Sequence, residues 1–253
     1  MLCLVGIGLY PGQLTLEALS ALRECEKIYL ENYTSSYSQG SIDKLKELTG
    51  KEVATLARRQ VEEELTPVIE EARTKKIALA VFGSPLNATT HVQILLDAKK
   101  MGVQTKAIAG ISIFEYVAFT GLDRYKFGRT TTIVFHGENY EPESFYDTIA
   151  QNKKAGLHTL CLLDIQAENE KMMDVRHAIS LLEMIEEKRE ESAISESICI
   201  GIAGAGSDGS QIKAGTLEQL KKFNFSIYPQ SLIVCGKINE KEGEALRALS
   251  DLQ

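Results

Sequence analysis

An α/β fold built as two domains is what this sequence predicts, on three observations. Short β-type runs bounded by glycine or charge alternate with amphipathic helical runs, the pattern of a mainly parallel α/β sheet. One complete set of strand and helix units ends near Ala107 to Gly110, and a fresh set of strands begins after it. The chain has 253 residues, enough for one large domain or two ordinary ones.

In order, the first-half strands are expected over residues 2–7, 27–30, 52–56, 77–82 and 103–108. Helical spacing lies between them, at Leu14, Leu16, Leu19 and Leu22, then at Val61, Leu65, Val68 and Ile69, then at Val92, Ile94, Leu95 and Ala98. Ala109-Gly110-Ile111-Ser112 reads as a loop running into a helix, which makes residues 1–108 an N-terminal α/β domain with a parallel sheet. Residues 109–253 form the second domain, with a mixed sheet. Its strands are expected over 130–135, 157–163, 197–203, 210–214 and 231–235, with long helices over 143–155 and 170–190. The likeliest place for a site is the cleft between the domains.

Composition narrows the class. Apolar residues make up 44% and charged residues 25%, the balance of a globular chain rather than a disordered one. The net charge of -7 is spread along helical stretches, which disfavours nucleic acid and suits a basic protein partner. Five cysteines, Cys3, Cys25, Cys161, Cys199 and Cys235, sit mostly inside apolar runs without a CxxC pair, as expected of buried thiols in a reducing compartment. The chain opens directly on Leu2-Cys3-Leu4-Val5-Gly6, without a charged leader or an apolar stretch of membrane-spanning length, so a cytoplasmic protein without membrane association is expected.

Two turns stand out. Gly6-Ile7-Gly8-Leu9-Tyr10-Pro11-Gly12 follows the first strand and precedes a helix, where glycines permit tight geometry and amides can face a polar ligand. A dinucleotide site wants G-x-G-x-x-G with an acidic residue about 20 positions on. Here the third glycine comes one place late and Glu31 ends the second strand, so a nicotinamide site and a plain tight turn both stay open. The second turn, Phe82-Gly83-Ser84-Pro85-Leu86, follows the fourth strand. Asn87-Ala88-Thr89-Thr90-His91 comes next, with polar side chains suited to a helix cap or to a ligand at the carboxyl end of the sheet.

Several chemistries lose their support. His91, His136, His158 and His177 have no metal-type spacing, so no metal is expected; His158 reads as structural, and His91 lies near enough to the second turn to touch a ligand. There is no G-x-S-x-G elbow for a serine hydrolase. Lys126 and Lys237 belong to no phosphate-binding loop of the G-x-x-x-x-G-K-[ST] kind. The run from Glu183 to Glu191 reads as the solvated face of a helix.

Taken in order, a set of short stretches resembles the diphthine synthases, of the tetrapyrrole methylase-like superfamily. They are Gly6-Ile7-Gly8-Leu9, Glu31-Asn32-Tyr33-Thr34-Ser35, Gly83-Ser84-Pro85-Leu86, Ala88-Thr89-Thr90-His91, Ser112-Ile113, Thr120-Gly121-Leu122, Tyr125-Lys126-Phe127-Gly128, Gly156-Leu157-His158-Thr159-Leu160, Leu163-Asp164-Ile165 and Ala205-Gly206-Ser207. The resemblance implies two α/β domains of the tetrapyrrole methylase type with the cofactor cleft between them. It also implies an S-adenosylmethionine-dependent methyltransferase, acting on the amino group of the modified histidine of translation elongation factor 2 in diphthamide biosynthesis. A short chain such as this one is similar to the archaeal members, which trimethylate that nitrogen. The resemblance implies a homodimer as well. The positions similar to the family's cofactor contacts are Leu9, Ser84, Asn87, Ser112, Ile113, Leu163, Ala205 and Ser231.

Ser84 stands where the family commonly has aspartate, and Ile111 where it has proline. The nearest alternative is a tetrapyrrole or ribosomal RNA methylase of the same superfamily; more distant ones are a nicotinamide-dependent oxidoreductase and a non-catalytic protein-binding module. Methyl transfer needs placement and a deprotonated amine rather than a triad or a metal. No catalytic residue is identified, although Asp164 and Glu31 are acidic groups near motif positions.

Overall fold

The computed structural model describes residues 1–252. The chain divides into two compact units, Met1–Phe114 and Glu115–Gln253. The division lies beyond the expected boundary at 108, because the loop after the fifth strand packs back onto the first unit. A Cβ on Gly110 would stand 2.0 Å from the Gly83 carbonyl oxygen, and Asn87 bonds to Ser112.

The first unit runs β1 (Leu2–Gly6), α1 (Leu16–Glu24), β2 (Lys27–Glu31), α2 (Ile42–Thr49), β3 (Val53–Leu56), α3 (Arg58–Glu62), α4 (Thr66–Glu71), β4 (Ile77–Val81), α5 (Val92–Lys100) and β5 (Thr105–Ile108). Its five strands pair in parallel in the order β3-β2-β4-β1-β5. β1 and β4 lie centrally and read as continuous apolar runs because both faces are covered. Ala18, Ala21 and Leu22 of α1 and Leu45 of α2 pack on one face; Val61, Leu65, Ile69, Ile94 and Ala98 of α3 to α5 pack on the other. Each fully buried leucine or isoleucine in these layers contributes about 1.5–3 kcal/mol. The single helix expected over Val61 to Ile69 is two, since Pro67 opens a new helix in its first turn.

The second unit begins with the rest of a short helix, α6 (Ile113–Tyr116). It continues through β6 (Thr131–Ile133), α7 (Ser144–Lys154), β7 (Thr159–Leu163), β8 (Ile165–Gln166), β9 (Lys171–Met172), α8 (Val175–Arg189), β10 (Cys199–Ala203), β11 (Gln211–Gly215), α9 (Leu217–Lys222), β12 (Gln230–Val234) and α10 (Glu240–Leu249). The five-stranded sheet β11-β10-β12-β7-β6 is mixed, with only β6 and β7 parallel. Its core gathers Phe145, Tyr146 and Ile149 of α7 with Ile179, Leu182 and Ile185 of α8.

Two expectations need correction here. The helix expected from residue 170 starts at Val175, because β8 and β9 form a small hairpin and Asp174 accepts the His177 amide at 2.6 Å as the N-cap. The Glu183–Glu191 run is not solvated throughout. Glu186 is buried and accepts hydrogen bonds from the Tyr146 hydroxyl at 3.2 Å and the Ile194 amide at 2.7 Å. All five cysteines are buried and free.

Candidate functional site

The topology of the first unit picks out one corner. After β1 the chain leaves through α1 on one face towards β2; after the adjacent β4 it leaves through α5 on the other face towards β5. Neighbouring strands whose connections part in this way open a crevice at their carboxyl ends, the usual ligand site of such sheets. The two turns singled out in the sequence lie there.

Glycine lets them meet. Gly8 and Gly83 exchange both backbone hydrogen bonds, at 3.2 and 2.9 Å, each with a positive φ, of 75° and 69°. Gly6 is hemmed in too, since a Cβ there would stand 2.5 Å from the Gly110 nitrogen and 2.6 Å from the Gly83 oxygen. Three strand ends are thus laced into a shared floor. Around it, the Leu9 amide donates to Gln13 Oε1 at 2.9 Å, and the Leu9 carbonyl accepts from the Ser38 amide and hydroxyl at 2.8 and 3.0 Å. Ser84 is buried and its hydroxyl meets no hydrogen-bond partner among the described residues. Asn87 is exposed and donates through Nδ2 to Ser112 Oγ at 3.3 Å, with Ile113 next to it in sequence. Of the expected contacts, Leu9, Ser84, Asn87, Ser112 and Ile113 therefore belong to this corner.

The other three share one edge of the second unit's sheet. Leu163 ends β7, Ser231 lies at the start of β12 opposite Leu162 and Ile202, and Ala205 sits in the turn that closes β10. Antiparallel pairing is what brings these ends of three strands together. Gly204 and Gly206 hold that turn with φ of 60° and 80°, and Ser207 bonds back to the Gly204 carbonyl through Oγ at 2.7 Å.

The nicotinamide reading loses its geometry. Gly12 lies within a separate one-turn helix over Pro11–Gln13, and α1 starts later under a Thr15 cap, so no helix N-terminus opens on the glycine turn to hold a pyrophosphate. The groups on hand are neutral hydroxyls, an amide and backbone, which suit the hydroxyls and base of an adenosyl group. Among the described residues no group of three or more His, Cys, Asp or Glu side chains is placed to hold a metal ion.

The remaining motif residues act in other ways. Glu31, at the end of β2, has its carboxyl bonded by the Thr34 hydroxyl and, at 3.3 Å, by the Thr34 amide. Burial raises it to about 7 despite those bonds. Asp164 accepts from the Phe135 amide at 3.2 Å and from Gln166 Nε2 at 3.3 Å. Both carboxylates therefore hold loops. The polar run after Ser84 caps nothing, because the Thr89 hydroxyl turns back to the Pro85 carbonyl at 2.6 Å and the helix begins behind His91 without a side-chain cap. His91 itself is buried.

Lys126 and His158 meet at Glu242, which sequence reasoning passed over. Its carboxylate receives Lys126 Nζ, His158 Nε2 at 2.9 Å, and the amides of Asp123 and Asn239 at 3.0 and 2.9 Å. Burial would raise its pKa, but the bond from Lys126, with those from the amides and His158, outweighs it and holds the group at about 2. Burial keeps His158 below the ordinary histidine value. The Gly236 amide donates to its Nδ1 at 3.0 Å, so its one proton sits on Nε2 and points at Glu242. The local signal was the Asn239-x-x-Glu242 capping box, which both backbone and side chain complete.

The model of the tetrapyrrole (corrin/porphyrin) methylases matches residues 1–221, a span that takes in the first unit and most of the second, so the fold is that of a methylase. The diphthine synthase of Methanococcus maripaludis strain C5 is 41% identical over 251 residues, 98% of each chain. That of Methanocaldococcus jannaschii is 39% identical over 255 residues, 99% of each chain. The crystal structure of a diphthine synthase superimposes with a TM-score of 0.90 at 34% identity, covering 100% of this chain and 96% of that one. The chain belongs to the tetrapyrrole methylase family and, within it, to the diphthine synthases. It is an S-adenosylmethionine-dependent methyltransferase of diphthamide biosynthesis.

Proposed function

We propose that the chain methylates the amino nitrogen of 2-(3-carboxy-3-aminopropyl)histidine on translation elongation factor 2, and carries it to the trimethyl stage, as a cytoplasmic homodimer. The observation that carries this reading is the glycine-laced corner at the carboxyl ends of β1 and β4. It occurs in a chain similar over almost its whole length to diphthine synthases.

S-adenosylmethionine, when bound, supplies an activated methyl group for in-line displacement by the amine. Leu9, Ser84, Asn87, Ser112 and Ile113 of the first unit, with Leu163, Ala205 and Ser231 of the second, are the residues we assign to holding it. Ser84 offers its uncommitted hydroxyl and Asn87 its amide oxygen; Leu9, Ile113, Leu163 and Ala205 offer apolar surface and backbone. The chain's contribution is to fix the reacting atoms about 3 Å apart in line and to keep water out. The attacking amine must be neutral at each transfer, since an ammonium has no lone pair. A net charge of -7 favours approach of a protein with a basic surface.

Calorimetric titration with S-adenosylmethionine, S-adenosylhomocysteine and NAD tests the donor, and mass spectrometry of the elongation factor after reaction tests the product. Micromolar binding of the adenosyl ligands without NAD, and a shift of three methyl groups, is the expected result. Absence of adenosyl binding would overturn the reading. Methyl transfer to a tetrapyrrole or to RNA instead would move the chain elsewhere in its superfamily.

A further inference from the structure

His91 is buried to 1% exposure and follows the Ser84–Asn87 turn in the chain. Its ring spans two motifs that are distant in sequence. Nδ1 lies 3.1 Å from the Pro85 carbonyl oxygen, and Nε2 lies 3.4 Å from the Tyr33 hydroxyl. A carbonyl only accepts, so Nδ1 carries the proton and Nε2 accepts from the phenol. The ionisation states agree: burial lowers His91 below the ordinary histidine value and raises Tyr33 above the ordinary phenol value, leaving a neutral imidazole and a protonated hydroxyl.

The turn needs such a fastening. Ala88 is held at φ 53°, a left-handed conformation that costs a non-glycine residue roughly 1 kcal/mol. The Pro85 carbonyl accepts twice, from the Thr89 hydroxyl at 2.6 Å and from His91, closing the segment from Pro85 to His91 on itself. Ser84 immediately precedes that closed segment, and Asn87 lies within it and ties it to Ser112. Tyr33 is itself fixed, being 4% exposed with the Arg58 guanidinium 5.1 Å above its ring. The ring therefore joins the end of β2 to the turn after β4.

We propose that His91 is a positioning residue for the methyl donor: by bridging the Tyr33 hydroxyl and the Pro85 carbonyl it holds Ser84 and Asn87 where the adenosyl group meets them. This rests on the donor site assigned above. It sets His91 apart from a histidine that only fills the core, because its loss acts on one substrate and not the other.

Three variants test it: His91→Phe, which removes both bonds, His91→Asn, whose amide still reaches the Pro85 carbonyl, and Tyr33→Phe, which removes only the hydroxyl. S-adenosylhomocysteine affinity is measured by calorimetry, and KM for the donor and for the elongation factor by initial rates. His91→Phe is expected to weaken the S-adenosylhomocysteine complex and raise the donor KM about tenfold, Tyr33→Phe about threefold, with His91→Asn recovering most of the loss. kcat and the KM for the elongation factor stay within about twofold. Unchanged donor affinity in His91→Phe, or equal rises in both KM values, overturns the positioning role. If His91→Phe fails to fold, Tyr33→Phe, which keeps ring and volume, decides alone: unchanged donor affinity there overturns the role. Wild-type protein that binds no S-adenosylhomocysteine sinks the donor site itself, whereas wild-type binding matched by all three variants sinks only the role of His91.

Discussion

The corner at Gly8 and Gly83 and the cluster around Glu242 are both built from residues of the family pattern, yet they are opposite kinds of structure. The first is backbone against backbone, made possible by missing side chains, and leaves the Ser84 hydroxyl and one side of Asn87 uncommitted. The second is dense in charge and closed, with every Glu242 oxygen taken up by Lys126, His158 or an amide. A ligand site must keep hydrogen-bonding capacity in reserve, whereas a structural hub must use all of it. The lysine, histidine and glutamate that meet there form a saturated cluster, the pattern of a structural hub.

That contrast can be broken by experiment. Glu242→Ala leaves Lys126 and His158 facing each other in a buried site, and should cost about 3–5 kcal/mol in urea unfolding while the folded protein keeps its donor affinity; lost affinity with little lost stability would make the cluster functional. Gly110→Ala should strike donor binding as well as stability. Its Cβ would meet the Gly83 carbonyl at 2.0 Å, so calorimetry should find donor binding reduced by about a hundredfold or more, with a stability loss of about 3 kcal/mol.

Glu31 separates the two kinds by pH. Its folded pKa of about 7 lies above the ordinary 4.5, so the folded state favours the neutral acid. The stability from that preference is complete below about 4.5 and is lost as pH rises through 7. Wild-type protein should lose about 2 kcal/mol relative to Glu31→Gln between pH 5 and pH 8, read by chemical denaturation; parallel curves would show the carboxyl ionised throughout. The smallest effect is expected of Ser84→Asp, which returns the family's usual residue. A charged acceptor for a ribose hydroxyl should tighten S-adenosylmethionine about threefold to tenfold in the same titration.

Much of the fold was legible, because β1 and β4 are continuous apolar runs and α1 and α5 carry a regular apolar stripe, so local pattern and tertiary role agree. Where they disagree the sequence misled. Met172 falls inside the helix expected over 170–190, and only its pairing with Ile165 across a hairpin shows otherwise. Glu186 sits in an acidic run, and its burial depends on Tyr146, 40 positions away. The same limit applied to the site. Glycine turns at strand ends announce themselves by spacing, but the His91 contact to Tyr33 spans 58 positions and the His158 contact to Glu242 spans 84, and no local rule connects such partners.

The paired bonds between Gly8 and Gly83 bear on how this corner opens. Each amide is sealed by the other residue's carbonyl, so neither can exchange its hydrogen with solvent unless both turns part. The two should therefore exchange at one common rate, set by a single opening of β1's end from β4's, and a bound adenosyl ligand should slow both by the same factor. Two backbone amides, 75 positions apart in the chain, would then serve as a built-in gauge of how often this corner comes undone.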